Sequence, residues 1–191
     1  PQGGLISPIL ANVYLHYVLD IWFEKCIKKQ LYGEAYLVRF ADDFLIMFQY
    51  ERDAQRVYEA IIKRMELFGL ELSKEKTRIL PFGRHSVSRE TFDFLGFTHF
   101  NSKTRKGYYT VGHKISRKKK KQFKSNLKKW VKENRNTQFD EFMKTLNKKL
   151  TGSVNYYSLS GMIKEVRNLW IHSLYVTFKW LNRRSQRKSF K

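Results

Sequence analysis

Two adjacent carboxylates, Asp42 and Asp43, stand between the apolar runs 36–40 and 44–48. An Asp pair in a turn is common, and solvation alone can account for it. Here both flanking runs are rich in β-branched and aromatic residues and apolar over nearly their whole length, which predicts a β-hairpin placed centrally in a sheet. Two carboxylates fixed at a buried hairpin offer hard oxygen ligands suited to Mg²⁺. Two-metal phosphoryl transfer needs that arrangement, with metals stabilising the attacking and leaving oxygens. A second feature is Pro1-Gln2-Gly3-Gly4-Leu5-Ile6-Ser7-Pro8. It reads equally as a loop entering a helix, but its two glycines let a backbone approach a ligand, and the Gln2 side chain can donate and accept toward a nucleotide sugar or base.

The elements that must position these residues follow from spacing. Ser7 as a cap and Pro8 at the first helical position predict a helix over 8–29, with Ile9, Leu10, Val13, Tyr14, Tyr17 and Ile21 at helical intervals. Asp53 is the expected cap of a second helix with Ala54, Val57, Ile61, Met65 and Phe68 on one face and Gly69 as its stop. Short strands are expected at 70–72 and 77–82 around a turn at 73–76, then a polar loop at 83–90 and a hairpin joining 92–97 to 108–111. Three helices follow, at 116–134, 138–150 and 160–182. The order is mixed α+β, then all-α.

The chain has 191 residues, 38 Lys plus Arg against 17 Asp plus Glu, and 42% hydrophobic residues, enough for a buried core. Residues 1–100 carry 13 basic and 13 acidic side chains, whereas 101–191 carry 25 basic and 4 acidic. The whole excess of +21 therefore sits in the second half, which marks that half as the holder of a polyanion, with nucleic acid leading and an anionic membrane second. Arg117, Lys118, Lys119, Lys120 and Lys121, with Lys124, Lys128 and Lys129, would lie along one face or edge of a helix. Arg183 and Arg184 add to this basic set near the end. Tyr156 and Tyr157 could stack on bases, although packing is the commoner fate of paired tyrosines. The single Cys26 excludes an internal disulfide framework, and five scattered His give no zinc spacing. The uncharged stretch 5–19 is too short and polar for a bilayer span. An intracellular setting is expected, and the initial Pro1 suggests a piece of a longer protein.

Taken together, Pro1-Gln2-Gly3-Gly4 with Ser7-Pro8-Ile9-Leu10-Ala11-Asn12, then Phe40-Ala41-Asp42-Asp43, Gly69-Leu70-Glu71-Leu72 with Lys76-Thr77, and Phe94-Leu95-Gly96-Phe97 resemble successive palm blocks of group II intron reverse transcriptases. Gly152, Asn155, Tyr156 and Tyr157 are similar to the thumb, or maturase, segment of the same family. The resemblance implies a right-hand polymerase palm, an antiparallel sheet with packed helices, over 1–112 and an all-α thumb/maturase domain over 113–191. It implies Asp42 as the direct metal ligand and Asp43 as its support, Gln2 and Gly3 facing the incoming nucleotide, Lys76 near the leaving phosphates, and Phe94, Leu95 and Gly96 supporting the primer end. The implied cofactor is Mg²⁺, two ions in the intact site. The implied partners are intron RNA, an RNA template with a DNA primer, and dNTPs, without a membrane and with a homodimer left open. The implied compartment is the bacterial cytoplasm, where association with the nucleoid would follow from DNA binding.

Two departures qualify this. Phe40 stands where the family usually has Tyr, and the family's upstream catalytic carboxylate is not among these residues, so the segment alone is expected not to polymerise. Two alternatives stay open. One is a non-polymerising maturase that binds RNA as a splicing cofactor; the other is a reverse transcriptase of a retron, diversity-generating or CRISPR-associated system.

Overall fold

The first helix begins one residue before Pro8, with Ser7 inside it and not at its cap. In the computed structural model, which describes residues 4–73 and 75–184, helix α1 covers Ser7–Leu15 with Ile6 at its N-cap and no side-chain cap. Ser7 already lies inside the helix, its N–H donating to the Gly4 carbonyl at 3.1 Å, so the expected cap does not form. The expected helix over 8–29 is helical throughout but not uniform. α1 runs into π-helical turns at His16–Ile21 and Phe23–Ile27 and a 3-10 turn at Lys28–Gln30. The wider turns shift the helical phase, and the buried Val18, Leu19 and Phe23 sit there, none in α1 itself.

Strands β1 (Ala35–Phe40) and β2 (Asp43–Phe48) pair antiparallel with Phe40 opposite Asp43, leaving Ala41 and Asp42 as a two-residue loop. Among the described residues this sheet has two strands, which corrects the expectation of a hairpin central in a sheet. Leu37, Phe44, Ile46 and Phe48 pack on the core from one face, while Tyr36, Val38, Phe40 and Met47 are exposed on the other. Helix α2 (Glu51–Leu67) supplies Val57, Ile61 and Met65 at helical spacing, and these bury with Val18, Leu19, Phe23 and Ala35. Gly69 ends α2 as expected: at φ +67° it donates to the Glu66 carbonyl at 3.0 Å while Leu70 donates to Met65 at 2.9 Å, a Schellman closure.

Two further expectations are corrected. Tyr50, in extended conformation, occupies the N-cap of α2. Asp53, buried at 1% exposure, instead accepts from the N–H groups of Tyr32 and Gly33 at 3.0 Å each, fixing the loop that enters β1. Residues 70–72 and 77–82 form no strand among the described residues. Leu70 and Leu72 pack on the core from a loop, so their apolar character reflects packing and not a ladder.

The chain divides into two compact units, Pro1–Glu90 and Thr91–Lys191. The second opens with a three-stranded antiparallel sheet, β3 (Thr91–Phe94), β4 (Phe97–Lys103) and β5 (Tyr109–Ile115), where one hairpin was expected. Leu95 and Gly96, at φ +50° and +82°, make the tight β3–β4 turn. Two successive positive φ values match the right-handed twist of a hairpin, so Gly96 is a turn residue and 92–97 is not one continuous strand. Ser116 caps α3 (Arg117–Asn134), its Oγ accepting from the Lys119 N–H at 3.4 Å. α4 (Phe139–Tyr157) continues past the expected end at residue 150, and α5 (Ile163–Leu181) completes the helices. Leu127, Val131, Phe142, Leu146, Leu150 and Val176 form one core, and Phe97, Ile115, Met162 and Leu169 form another that joins sheet to helices. The α+β class with antiparallel sheets is as expected.

Candidate active site and nucleic-acid interface

In the first unit one guanidinium organises the loop that carries the acidic pair. Arg39 donates from Nε and Nη2 to the two oxygens of Asp20, both at 2.7 Å. Its Nη1 donates to Asn12 Oδ1 at 2.9 Å and to the Ala41 carbonyl at 2.8 Å. Ala41 has φ +53°, a region disfavoured for any residue with a β-carbon, and the Arg39 bond fastens its carbonyl there. The hydrogen bond from Arg39 holds the Asp20 carboxyl below the usual carboxylate range against the opposing effect of burial, and Asp20 in turn raises Arg39. His16 Nδ1 lies 3.2 Å from Asp20 Oδ2. Sequence reasoning missed this set. The signal was a lone Arg in an apolar strand, two residues before a turn.

Asp42 and Asp43 themselves are exposed, and among the described residues their carboxylates accept no hydrogen bond and pair with no cation. They are free to take a ligand, but they are not buried as expected. The described residues contain no group of three or more His, Cys, Asp or Glu able to hold a metal by themselves. Lys76 is exposed in a turn where its N–H donates to the Ser73 carbonyl at 3.0 Å. Gln2 and Gly3 lie outside the described residues.

In the second unit the Leu95–Gly96 turn is clamped from several sides. Tyr156 Oη donates to the Leu95 carbonyl at 2.8 Å, and Ser116 N–H donates to the Gly96 carbonyl at 2.9 Å. Phe97 stacks on Tyr156 with centroids 5.6 Å apart and meets Tyr157 edge-on, also at 5.6 Å. The Lys119 stem lies over Gly96, its Cγ 3.4 Å from where a β-carbon would stand. Both tyrosines therefore pack, although Tyr156 keeps 55% exposure.

The basic residues divide by helix phase. Arg117, Lys118, Lys119, Lys121, Lys128 and Lys129 are exposed. Lys120 is half-buried with its Nζ 2.5 Å from Glu165 Oε2, which removes it from the expected free set. Lys124 is half-buried, and its charge adds to burial in lowering the His172 pKa. Arg183 lies over the Trp180 ring at 4.8 Å, joined by Arg135 at 5.7 Å and Lys132 at 5.9 Å. Arg135 and Lys132 were not singled out from sequence, because nothing linear brings them to a Trp on another helix. Arg184 lies in the 3-10 turn Asn182–Arg184 that follows α5.

Residues 1–99 match the family model described as reverse transcriptase (RNA-dependent DNA polymerase). The chain belongs to the reverse transcriptases. Residues 120–191 match the group II intron maturase-specific domain, so this reverse transcriptase is of the group II intron-encoded, maturase-bearing kind. No curated protein sequence matches it. The reverse transcriptase match ends inside β4, and its last residues include the Leu95–Gly96 turn that Tyr156 of the maturase-specific segment holds. Reverse transcriptases generally use Mg²⁺, and nucleic acids such as intron RNA and template are the partners of these two domains. Two unpaired carboxylates fit such an ion, because Mg²⁺ is commonly held by one or two carboxylates with water and substrate phosphates completing its shell. Among the described residues no helix of the reverse transcriptase is long and apolar enough to cross a membrane.

Proposed function

We propose that the chain is the palm and thumb of an RNA-directed DNA polymerase encoded by a mobile group II intron, which also binds its intron RNA to assist splicing. Residues 1–112 are assigned to the palm and 113–191 to the basic helical thumb. The observation that carries the reading is the end of the β1–β2 hairpin, where among the described residues the Asp42 and Asp43 carboxylates are unpaired and the Ala41 carbonyl is fastened by Arg39. Asp42 is assigned as direct ligand and Asp43 as support for Mg²⁺, two ions in the intact site. When bound, these ions would supply charge stabilisation for nucleotidyl transfer. The chain's own residues do the placing: Arg39 sets the loop, Gln2 and Gly3 face the incoming nucleotide, Lys76 lies near the leaving phosphates, and the Phe94–Leu95–Gly96 turn supports the primer end. The exposed members of the α3 basic run, with Arg183 and Arg184, hold RNA phosphates.

The test is primer extension by the complete protein with Asp42→Ala and Asp43→Ala. Each variant is expected to lose extension while RNA affinity stays within about two-fold, since the phosphate-holding helices do not involve these carboxylates. Extension retained by both variants would refute the assignment. If wild type binds RNA and promotes splicing but never extends a primer, the protein is a splicing cofactor instead.

A further inference from the structure

The sharp turn between β3 and β4 puts Leu95, which has a β-carbon, at φ +50° and follows it with Gly96 at +82°. Such a conformation persists at a non-glycine residue only when its surroundings fix it. Here the hydroxyl of Tyr156, from the last turn of α4, donates to the Leu95 carbonyl at 2.8 Å, while its ring stacks on Phe97, the first residue after the turn. The second attachment, Ser116 N–H to the Gly96 carbonyl at 2.9 Å, comes from the residue that caps α3. Tyr157 meets the other edge of Phe97 and packs with the core of Phe97, Ile115, Met162 and Leu169. The two tyrosines thus differ in role. Tyr157 belongs to the core, whereas Tyr156 is more than half exposed at 55% and joins the turn by one polar bond and one ring face.

We propose that Tyr156 is a positioning residue for polymerisation: its hydroxyl fixes the Leu95 carbonyl, and through it the Phe94–Leu95–Gly96 turn, in the geometry that supports the primer end. The inference rests on the reading of that turn as primer support, and it adds that a side chain of the maturase-specific segment sets its geometry. No contact between Tyr156 and the primer is required. Misplacement of a reacting end by a fraction of an ångström lowers the rate of the chemical step without weakening binding.

The experiment is single-turnover extension of a preformed primer–template complex by the complete protein, wild type against Tyr156→Phe, with RNA affinity and thermal melting measured on the same samples. Phe keeps the ring on Phe97 and deletes only the hydrogen bond. The expected result is a rate constant about five-fold lower with an unchanged burst amplitude, unchanged RNA affinity and a melting temperature within about two degrees of wild type. A merely structural role would reduce amplitude or melting temperature and leave the rate of the active fraction unchanged. That result, or a rate equal to wild type, overturns the proposal while leaving the polymerase reading intact. A wild type that extends no primer overturns the polymerase reading itself and this inference with it.

Discussion

A guanidinium that divides its donors among Asp20, Asn12 and the Ala41 carbonyl cannot be replaced by an ammonium, which has no planar fork to meet a carboxylate on two sides. Arg39→Lys is expected to lower primer extension at least about ten-fold, with RNA affinity unchanged, because the loop before Asp42 loses its fastening. Equal turnover in wild type and variant would mean that the loop holds its shape unaided. The pH dependence of the pair has a definite sign. The Asp20 carboxyl titrates lower when folded than when unfolded, so the unfolded chain binds the proton more readily and the pair stabilises the fold above the ordinary carboxylate pKa of about 4. This stability is lost as pH falls through the lowered folded value. Of this site, Asp42 and Asp43 were legible in sequence because two like charges between apolar strands are conspicuous. Arg39, Asp20 and Asn12 were not, since only the fold brings residues so far apart in sequence to one guanidinium.

Among elements, α3 shows how a uniform run acquires distinct roles. Five consecutive basic residues look alike in sequence, yet helical phase sends Lys120 to Glu165 and leaves Lys118, Lys119 and Lys121 exposed. Replacing Lys118, Lys121, Lys128 and Lys129 by Gln should weaken RNA binding and flatten its dependence on salt, by about one unit of log–log slope for each phosphate no longer neutralised, measured by titration across salt concentrations. An unaltered slope would place those side chains in solvent only. Lys120→Gln is expected to leave the slope alone and lower the melting temperature slightly, since a partly exposed pair contributes no more than about 1 kcal/mol. The sheet of the second unit carries another expectation. β4 and β5 place His99 opposite His113 with their Nδ1 atoms 3.0 Å apart, and burial, then the His113 charge, lowers the His99 pKa. The unfolded chain then takes up the proton first, so stability should fall as pH drops from about 7 to about 5, and by less in His99→Gln. Melting curves across that range would show the difference, and parallel losses in the two proteins would contradict it. The extended character of 92–94 and 109–111 was readable from composition, but this pairing was not, because it depends on the Leu95–Gly96 turn, which falls inside the single strand expected over 92–97, and on β4 beyond it.

At the scale of the molecule, the acidic pair and the excess of positive charge fall in different halves of the chain. The balanced first half holds the acidic pair, and the basic half holds the helices α3 to α5. Between α2 and β3 lie more than twenty residues without helix or strand among those described, with Arg84 and Arg89 exposed near the division at Glu90. Brief trypsin treatment should therefore cut first at Arg84 or Arg89 and release two resistant fragments, identified by mass. Early cleavage within the basic run of α3 instead would show that helix to be the weaker element. The bare side of the β1–β2 ribbon has one more consequence. Among the described residues no third strand pairs with either outer edge, and Tyr36, Val38, Phe40 and Met47 line one exposed face. Such a ribbon is a template for strand addition. A ribbon of this kind can accept a further segment or a second copy of the chain at the same edge.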